Sequence, residues 1–427
     1  MVKRELRSVT VIGLGFVGLP LCQLFLKNGY EVHGVDVDEE KLKRIYRGDS
    51  NNPDVADQLI LKSIKSGRFS LYHSGEGIAG TEAIFICVPT PLTGNDEPDL
   101  TFVKEAVSSI LPHLEKGQLV CLESTTYPGT TEELILPRLK EKGFTVGKDI
   151  YLAYSPERIN PGNTIPLKKI PKVVGGTTPK CLEKISAIYR SVFDRVFEVS
   201  STRAAEMTKI LENTQRFINI SFINDFALLC EKMNINIFEV IDAASTKPYG
   251  FTRYTPSAGI GGHCIPIDPL YLSWKAREYG DETPFIGIAN QVNKKMPVYM
   301  TGKIRRLLPE KKDGKSPSVL IIGVAYKQDI NDVRESPALP IINHLLAEGC
   351  RVAYYDPYVP AITVNGEKYE SVNVSALSDS DYDLAVIITE HRRVNYSKIK
   401  AHVPRMVGIK DLLLDGSDTK QIKAGGD

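Results

Sequence analysis

Val9-Thr10-Val11-Ile12-Gly13-Leu14-Gly15-Phe16-Val17-Gly18-Leu19-Pro20 is the stretch on which the reading of the chain turns. Four β-branched residues in a row read as a strand, and the glycine-spaced segment after them opens a helical stretch, Phe16–Lys27. In that setting the first glycine permits a tight turn, the second lets the backbone approach a pyrophosphate, and the third lets helix pack on strand. The helix N-terminus adds unpaired N–H groups and a dipole that favours phosphate. Asp36 closes the next strand candidate, Glu31–Val35, where a carboxylate can bind both ribose hydroxyls of NAD and would repel the 2′-phosphate of NADP. NAD is therefore the expected cofactor, lined by Gly13, Gly15, Phe16, Val17, Gly18 and Asp36, with FAD the lesser alternative. Outside a strand and a helix, the same glycines would be an ordinary turn.

Working outward, strand candidates Ala83–Val88, Leu119–Leu122 and Ile150–Tyr154 alternate with helical stretches Glu39–Arg47, Asp99–Leu114 and Thr130–Glu141. That alternation predicts a parallel sheet with helices on both faces. Val9–Leu26 approaches the length of a membrane span, but three glycines, Pro20, Thr10 and Gln23 suit a βα unit better. The 427 residues exceed what one core usually supports, so several domains are expected. Lys plus Arg total 53 against 52 Asp plus Glu, so no global field draws the protein to nucleic acid or anionic lipid. Cys22, Cys87, Cys121, Cys181, Cys230, Cys264 and Cys350 form no Cys-x-x-Cys pair, which argues against a disulfide framework or metal site and for a reducing compartment. No signal-peptide organisation follows Met1, and a cytoplasmic location is expected.

No Gly or Pro occurs between Pro179 and Pro248, and from Ala204 to Leu229 apolar residues fall on nearly every face. A helix apolar all round must be covered on all sides, so a long central helix is predicted to join two domains and to form a homodimer or higher homo-oligomer. After the polar stretch Pro309–Ser316, Val319–Ile322, Ala338–Ala347, Arg351–Tyr355 and Leu384–Ile388 restore the βα alternation, and Asp418–Asp427 reads as a loose tail. The expected class is α/β: two Rossmann-like doubly wound domains (1–200 and 311–427) joined by the central helix and a helical middle domain (201–310).

Gly261-Gly262-His263-Cys264-Ile265-Pro266-Ile267-Asp268-Pro269 fixes a backbone rather than fills a core, and a cysteine there is a candidate reactive thiol; the plainer reading is an incidental thiol in a structural loop. Lys209 and Asn213, four apart, share one helix face and would need partners if buried, although alone a snorkelling lysine accounts for them. Lys327 and Arg334 suit an anionic ligand, or belong to a surface cluster with Asp329, Asp332 and Glu335.

With GLGFVGLP, CVPTP at Cys87, EST at Glu123, SPER at Ser155, the Lys209/Asn213 pair, GGHCIPIDP and AYKQDINDVRESPA from Ala325, the sequence resembles the UDP-sugar 6-dehydrogenases from Val9 to about Leu413. The resemblance implies an NAD domain, a helical middle and a UDP-holding C-terminal domain. It further implies that Cys264 is a nucleophile, with Lys209, Asn213 and Asp268 around the sugar C6 and with Thr125 and Glu157 assisting proton transfer and water placement. Val88, Pro89, Thr90, Thr125 and Arg334 match positions that line NAD. Glu157, Arg158, Lys209, Asn213, Arg253, Tyr254, Gly261, Tyr326 and Lys327 are the corresponding candidates for substrate contact.

The stretches Ser155–Asn163, Ile170–Gly176, Gly250–Tyr254 and Trp274–Gly280 look like the UDP-N-acetylglucosamine branch, whereas the UDP-glucose branch usually has phenylalanine after the glutamate of SPER and a lysine near Thr255. The resemblance therefore implies four-electron oxidation of the C6 hydroxymethyl of UDP-N-acetylglucosamine for surface polysaccharide synthesis, with UDP-glucose and UDP-N-acetylmannosamine as alternatives. A one-step β-hydroxyacid dehydrogenase shares the Lys/Asn spacing but needs neither Cys264 nor a third domain. A non-catalytic NAD-binding regulator would leave Lys209, Cys264 and Asp268 without work.

Overall fold

Val9, Val11 and Ile12 form the middle of a buried strand, as their β-branched run predicts. The computed structural model describes residues 7–52, 54–159, 165–309, 316–378 and 381–414; Asn160–Asn163, most of the polar stretch before Ser316 and the expected C-terminal tail lie outside them. The chain divides into two compact units, residues up to Asn213 together with Leu270–Asp281, and Thr214–Pro269 together with the chain from Glu282 onward.

In the first unit the chain forms β1 (Ser8–Ile12), α1 (Gly18–Lys27), β2 (Glu31–Val35), α2 (Glu39–Arg47), α3 (Asp57–Lys65), β3 (Phe69–Tyr72), β4 (Ala83–Ile86) and α4 (Thr101–Ile110). It continues through β5 (Leu119–Leu122), α5 (Leu136–Glu141), β6 (Tyr151–Tyr154), β7 (Lys172–Gly176), α6 (Pro179–Arg190), β8 (Val196–Glu198) and the start of α7 (Thr202–Lys232). The sheet order is β3-β2-β1-β4-β5-β6-β7-β8. The first six strands are parallel, β7 runs antiparallel to β6, and β8 is parallel to β7. Every residue of β4 and β5 is buried, as central parallel strands covered on both faces require. The chain reverses its direction of travel across the sheet between β1 and β4, and ligands of such sheets bind off the carboxyl ends of the strands at that point.

Local chemistry sets the boundaries. Asp38 accepts the Lys41 N–H at 2.9 Å to cap α2, and Gly48, with φ 77°, ends it in the left-handed conformation. The segment Val9–Leu26 is β1, a turn and α1, and among the described residues no helix is long and apolar enough to cross a membrane. α1 starts at Gly18 rather than Phe16 because Gly15–Val17 form the turn itself.

The second unit takes the rest of α7, then α8 (Ile237–Ser245), the start of α9 (Asp268–Ala276), α10 (Pro284–Leu307), β9 (Ser318–Ile322), α11 (Ala338–Ala347) and β10 (Arg351–Tyr355). A hairpin of β11 (Ala361–Val364) and β12 (Glu367–Glu370) precedes β13 (Leu384–Ile387), α12 (Tyr396–His402), β14 (Met406–Gly408) and α13 (Ile409–Leu413). Its sheet, β10-β9-β13-β14, is wholly parallel. Both α/β regions expected from the sequence are thus present.

The burial expected on all sides of the central helix is not reached within one chain. Ile210, Phe217, Ile223 and Leu228 of α7 are buried, whereas Met207, Leu211, Phe222, Phe226 and Leu229 are between 39% and 66% exposed. These five form a stripe of α7 that the described residues leave exposed.

Candidate active site

The turn after β1 has the division of labour its glycines predict. Gly13 adopts φ 90°, and a Cβ there would lie 2.6 Å from the Cys87 carbonyl oxygen. At Gly18 a Cβ would fall 1.9 Å from the Gly13 carbonyl oxygen, so α1 sits directly on β1. Gly15 is exposed, with nothing within 4 Å of an added Cβ, which leaves open space where a pyrophosphate would approach the helix N-terminus. Phe16 and Val17 complete the turn, half-buried. Buried Asp36 closes it from the tip of β2: Oδ2 accepts the Leu14 N–H and the Lys41 ammonium, each at 2.8 Å, and Oδ1 accepts the Asp38 N–H at 3.0 Å. Acceptor capacity remains on Oδ1 for ribose hydroxyls.

Along the same edge, the segment after β4 carries half-buried Val88, exposed Pro89 and buried Thr90. Ser124 ties this segment to the tip of β5 through its hydroxyl, which donates to the Val88 carbonyl at 2.7 Å. Tyr271 donates to the carbonyls of Thr90 and Pro91 from α9. Thr125 follows Ser124, half-buried. At the tip of β6, Glu157 is 5% exposed, and its Oε1 accepts the N–H groups of Arg158 at 2.5 Å and Ile159 at 2.6 Å. The Arg158 guanidinium is engaged with Glu212 at 2.8 Å and the Pro171 carbonyl at 2.9 Å. Lys209 and Asn213 are both buried on one face of α7, and Lys209 has no ion pair among the described residues. A buried ammonium without a counter-ion is expensive unless a ligand supplies the charge.

In the second unit the glycine loop is pressed onto the segment after β9. The Gly262 N–H donates to the Arg334 carbonyl at 3.0 Å. A Cβ on Gly261 would stand 2.7 Å from the Tyr326 Cβ, and one on Gly262 (φ 91°) 2.7 Å from the Tyr326 ring. Only glycine permits this approach, so the loop delivers Cys264 beside Tyr326 and Arg334. Burial, with Asp332 and Cys264 adding to it, pushes the Tyr326 hydroxyl up to about 12. Cys264 is half-exposed while the other six cysteines are buried. Its carbonyl accepts the Ile267 and Asp268 N–H groups at 3.2 and 2.9 Å, which places the thiol residue in the turn that leads into α9. Asp268 is 2% exposed.

Lys327 is half-buried next to Tyr326, while the Arg334 guanidinium chelates Asp332, with Nη2–Oδ2 at 2.6 Å. Asp329 and Glu335 in this segment have φ of 61° and 52°, a left-handed strain that only a well-braced site sustains. Tyr254 packs against the unit's core, and the exposed Arg253 pairs with Asp242 of α8 at 2.6 Å.

The second sheet repeats the glycine clasp with a different outcome. Gly323, φ 79°, follows β9 as Gly13 follows β1, and Asp356 ends β10 as Asp36 follows β2. Asp356 Oδ2 receives the Val324 and Ala325 N–H groups and His391 Nε2 at 2.9, 3.1 and 3.1 Å, and Oδ1 receives those of Tyr358 and Val359. His391 Nδ1 accepts the Asp329 N–H, so Nε2 carries its proton. These bonds hold the Asp356 carboxyl below the usual carboxylate range against the opposing effect of burial.

Sequence reasoning missed the cluster behind Glu157. Lys172, which opens β7, donates to Glu123 Oε2 at 2.7 Å, Glu157 Oε2 at 3.1 Å and the Pro156 carbonyl at 3.3 Å, with all three side chains buried. Its only sequence signal is a lysine at the head of an apolar strand. Among the described residues no His, Cys, Asp and Glu group has metal-binding geometry.

Three consecutive segments match models of the UDP-glucose/GDP-mannose dehydrogenase family: the NAD binding domain over residues 7–193, the central domain over 203–295 and the UDP binding domain over 320–419. The UDP-N-acetyl-D-mannosamine dehydrogenase of Methanococcus vannielii is 34% identical over 397 residues, 91% of this chain and 87% of that one. The UDP-N-acetyl-D-glucosamine 6-dehydrogenase of Salmonella typhi is 33% identical over 391 residues, 90% of each. The solved structure of the Pyrococcus horikoshii UDP-D-ManNAc dehydrogenase superposes with a TM-score of 0.84 at 31% identity, covering 94% of each chain.

Proposed function

This chain belongs to the UDP-glucose/GDP-mannose dehydrogenase family of NAD-dependent UDP-sugar dehydrogenases, and from that premise we propose that it oxidises C6 of a UDP-N-acetylhexosamine to a carboxylate through Cys264. The observation that carries the reading is the presentation of Cys264: the single half-exposed thiol, at the entry to α9, on a loop that Gly261 and Gly262 press against Tyr326.

NAD, when bound, accepts a hydride from C6 in each of two oxidations. In the first, a water takes the hydroxyl proton, the role for which the family resemblance names Lys209 and Asp268, and the Lys209 ammonium stabilises the developing alkoxide. The Cys264 thiolate then adds to the aldehyde carbon, and the resulting thiohemiacetal loses the second hydride to become a thioester. Water attacks C6, the C6–S bond breaks with its electron pair on Sγ, and Glu157 and Asp268 are the carboxylates that orient that water. Asn213 and Thr125 position the sugar and the water. The family resemblance assigns Val88, Pro89, Thr90 and Arg334 to NAD, and Arg158, Arg253, Tyr254, Gly261, Tyr326 and Lys327 to the substrate. The functional domains of this reading are about 1–200, 201–310 and 311–427, a division supported by the family segments 7–193, 203–295 and 320–419.

The Ser155–Ile159 and Lys172–Gly176 segments favour the gluco epimer, UDP-N-acetylglucosamine. UDP-N-acetylmannosamine is the second reading, favoured by the names of the Methanococcus and Pyrococcus relatives. The exposed stripe of α7 suits a second copy of the chain, and a cytoplasmic role in making surface polysaccharide fits the product. The test is NADH formed per mole of limiting UDP-N-acetylglucosamine, UDP-N-acetylmannosamine or UDP-glucose, with wild type and Cys264→Ser. About two NADH from the gluco acetamido sugar, with turnover lost in Cys264→Ser, is expected of the covalent route. Oxidation of the manno epimer alone would replace the substrate, and one NADH independent of Cys264 would remove the mechanism.

A further inference from the structure

The Lys172 cluster is an odd way to build a core. One ammonium faces two carboxyl groups in a place where water is excluded, and apolar residues in place of such a cluster usually stabilise a fold as well or better. Glu123 Oε1 has no hydrogen-bond partner among the described residues, and burial pushes that carboxyl up to about 7. The Tyr189 and Phe193 rings of the α6 region flank the ammonium at 5.3 and 5.5 Å and fix it from the other side.

The location is equally specific. Glu123 follows β5 immediately before Ser124 and Thr125, and Glu157 follows β6, so both stand at the carboxyl ends of parallel strands. Glu157 Oε1 is saturated by two backbone N–H groups, while Oε2 receives Lys172 and keeps one acceptor position. An acceptor held in this way keeps its direction, the property needed to orient a nucleophilic water.

We infer that Lys172, tied back by Glu123, is a positioning residue that presents the Glu157 carboxyl group to the water that cleaves the Cys264 thioester. The inference rests on the thioester route proposed above. In the step concerned, the water oxygen bonds to C6, the C6–S bond breaks, one water proton goes to Sγ, and the other leaves through Glu157 to solvent. Lys172 exchanges no proton; it holds the acceptor.

The test is a pre-steady-state measurement with NAD and the oxidised UDP-sugar, following the NADH burst, the steady rate and the mass of acid-quenched enzyme. Lys172→Met combined with Glu123→Gln removes the ammonium together with the carboxyl group that tethers it. It is expected to keep a burst near two NADH per subunit, to slow the steady rate about 10²-fold and to accumulate an acyl adduct on Cys264. Lys172→Arg should restore turnover, and adding Lys172→Met to Glu157→Gln should slow it no further. Equal loss of burst and steady rate in a folded variant, full activity, or additive losses with Glu157→Gln would overturn the inference. A wild type that yields one NADH and no dependence on Cys264 would instead remove the thioester route, and this inference with it.

Discussion

The three glycines after β1 make separable predictions. In Gly18→Ala the new methyl would lie 1.9 Å from the Gly13 carbonyl oxygen, where carbon–oxygen contacts need more than 3.0 Å, so α1 must recede from β1 by about 1 Å. Overpacking of that kind costs about 1–3 kcal/mol, a fall of about 2–4 °C per kcal/mol in the melting of a unit this size. Gly15→Ala meets no protein atom within 4 Å and should leave the apo protein unchanged, but it fills the space through which the pyrophosphate approaches. Ligand stabilisation gives the assay. At a hundredfold excess over the dissociation constant NAD adds about 2.7 kcal/mol, and a weakening of tenfold to a hundredfold cuts that gain to about 1.4 or 0.4 kcal/mol at the same concentration. Melting curves with and without NAD therefore separate the variants: Gly18→Ala melts low in both, Gly15→Ala only with NAD. Unaltered NAD stabilisation of Gly15→Ala would refute the assignment of that space to the pyrophosphate.

Iodoacetamide applied to the native protein should label Cys264 alone, since the other six thiols are buried; peptide mapping that finds Cys350 or Cys87 labelled as fast would contradict this. Gly262→Ala drives a methyl into the Tyr326 ring at φ 91° and should lower kcat about 10²-fold by misplacing the thiol, with NAD affinity unchanged; an unaffected kcat would show the loop does not aim Cys264. The Glu123 carboxyl is raised by burial and by Glu157 against the opposing pull of Lys172. The folded protein thus holds its proton above the pH where the unfolded chain has lost it. The stability this contributes is full below the unfolded value near 4.5 and is lost as pH rises through about 7. Glu123→Gln should flatten that decline in denaturant titrations across the window, whereas an unchanged slope would assign the proton elsewhere. Leu211→Glu or Phe222→Glu, on the exposed stripe of α7, should halve the sedimenting mass if that stripe is the subunit contact; an unchanged mass would exclude it.

Where local chemistry is self-sufficient the sequence was legible. α2 begins and ends where Asp38 and Gly48 announce it, and α11 and β10 have the expected bounds. β7 was not recognised as a strand: it runs against its neighbour and ends in two glycines, and its first residue is a lysine whose burial is explained only by carboxylates 15 and 49 positions away. The same distance hid the positioning cluster. Conversely, Arg158 and Arg253 look like free cations in the sequence, yet each is engaged by an acid of its own unit, Glu212 and Asp242, which periodicity cannot reveal. The glycine loop was recognisable as rigid, but its target, Tyr326, was not, because a missing side chain names no partner.

The clasp around Asp356 bears on how a duplicated architecture acquires two jobs. Both sheets keep an aspartate just after the second strand of the motif, so neither residue identity nor strand order distinguishes a dinucleotide-binding copy from the other. The distinction is saturation. Five donors from Val324, Ala325, Tyr358, Val359 and His391 converge on Asp356, whereas Asp36 receives two backbone N–H groups and one lysine. A carboxylate already filled from within has no lone pair to lend to a nucleoside's diol, so the second sheet is closed to NAD without losing its acid. Converting it into a cofactor site would begin with emptying that carboxylate, starting at His391, before any glycine was added.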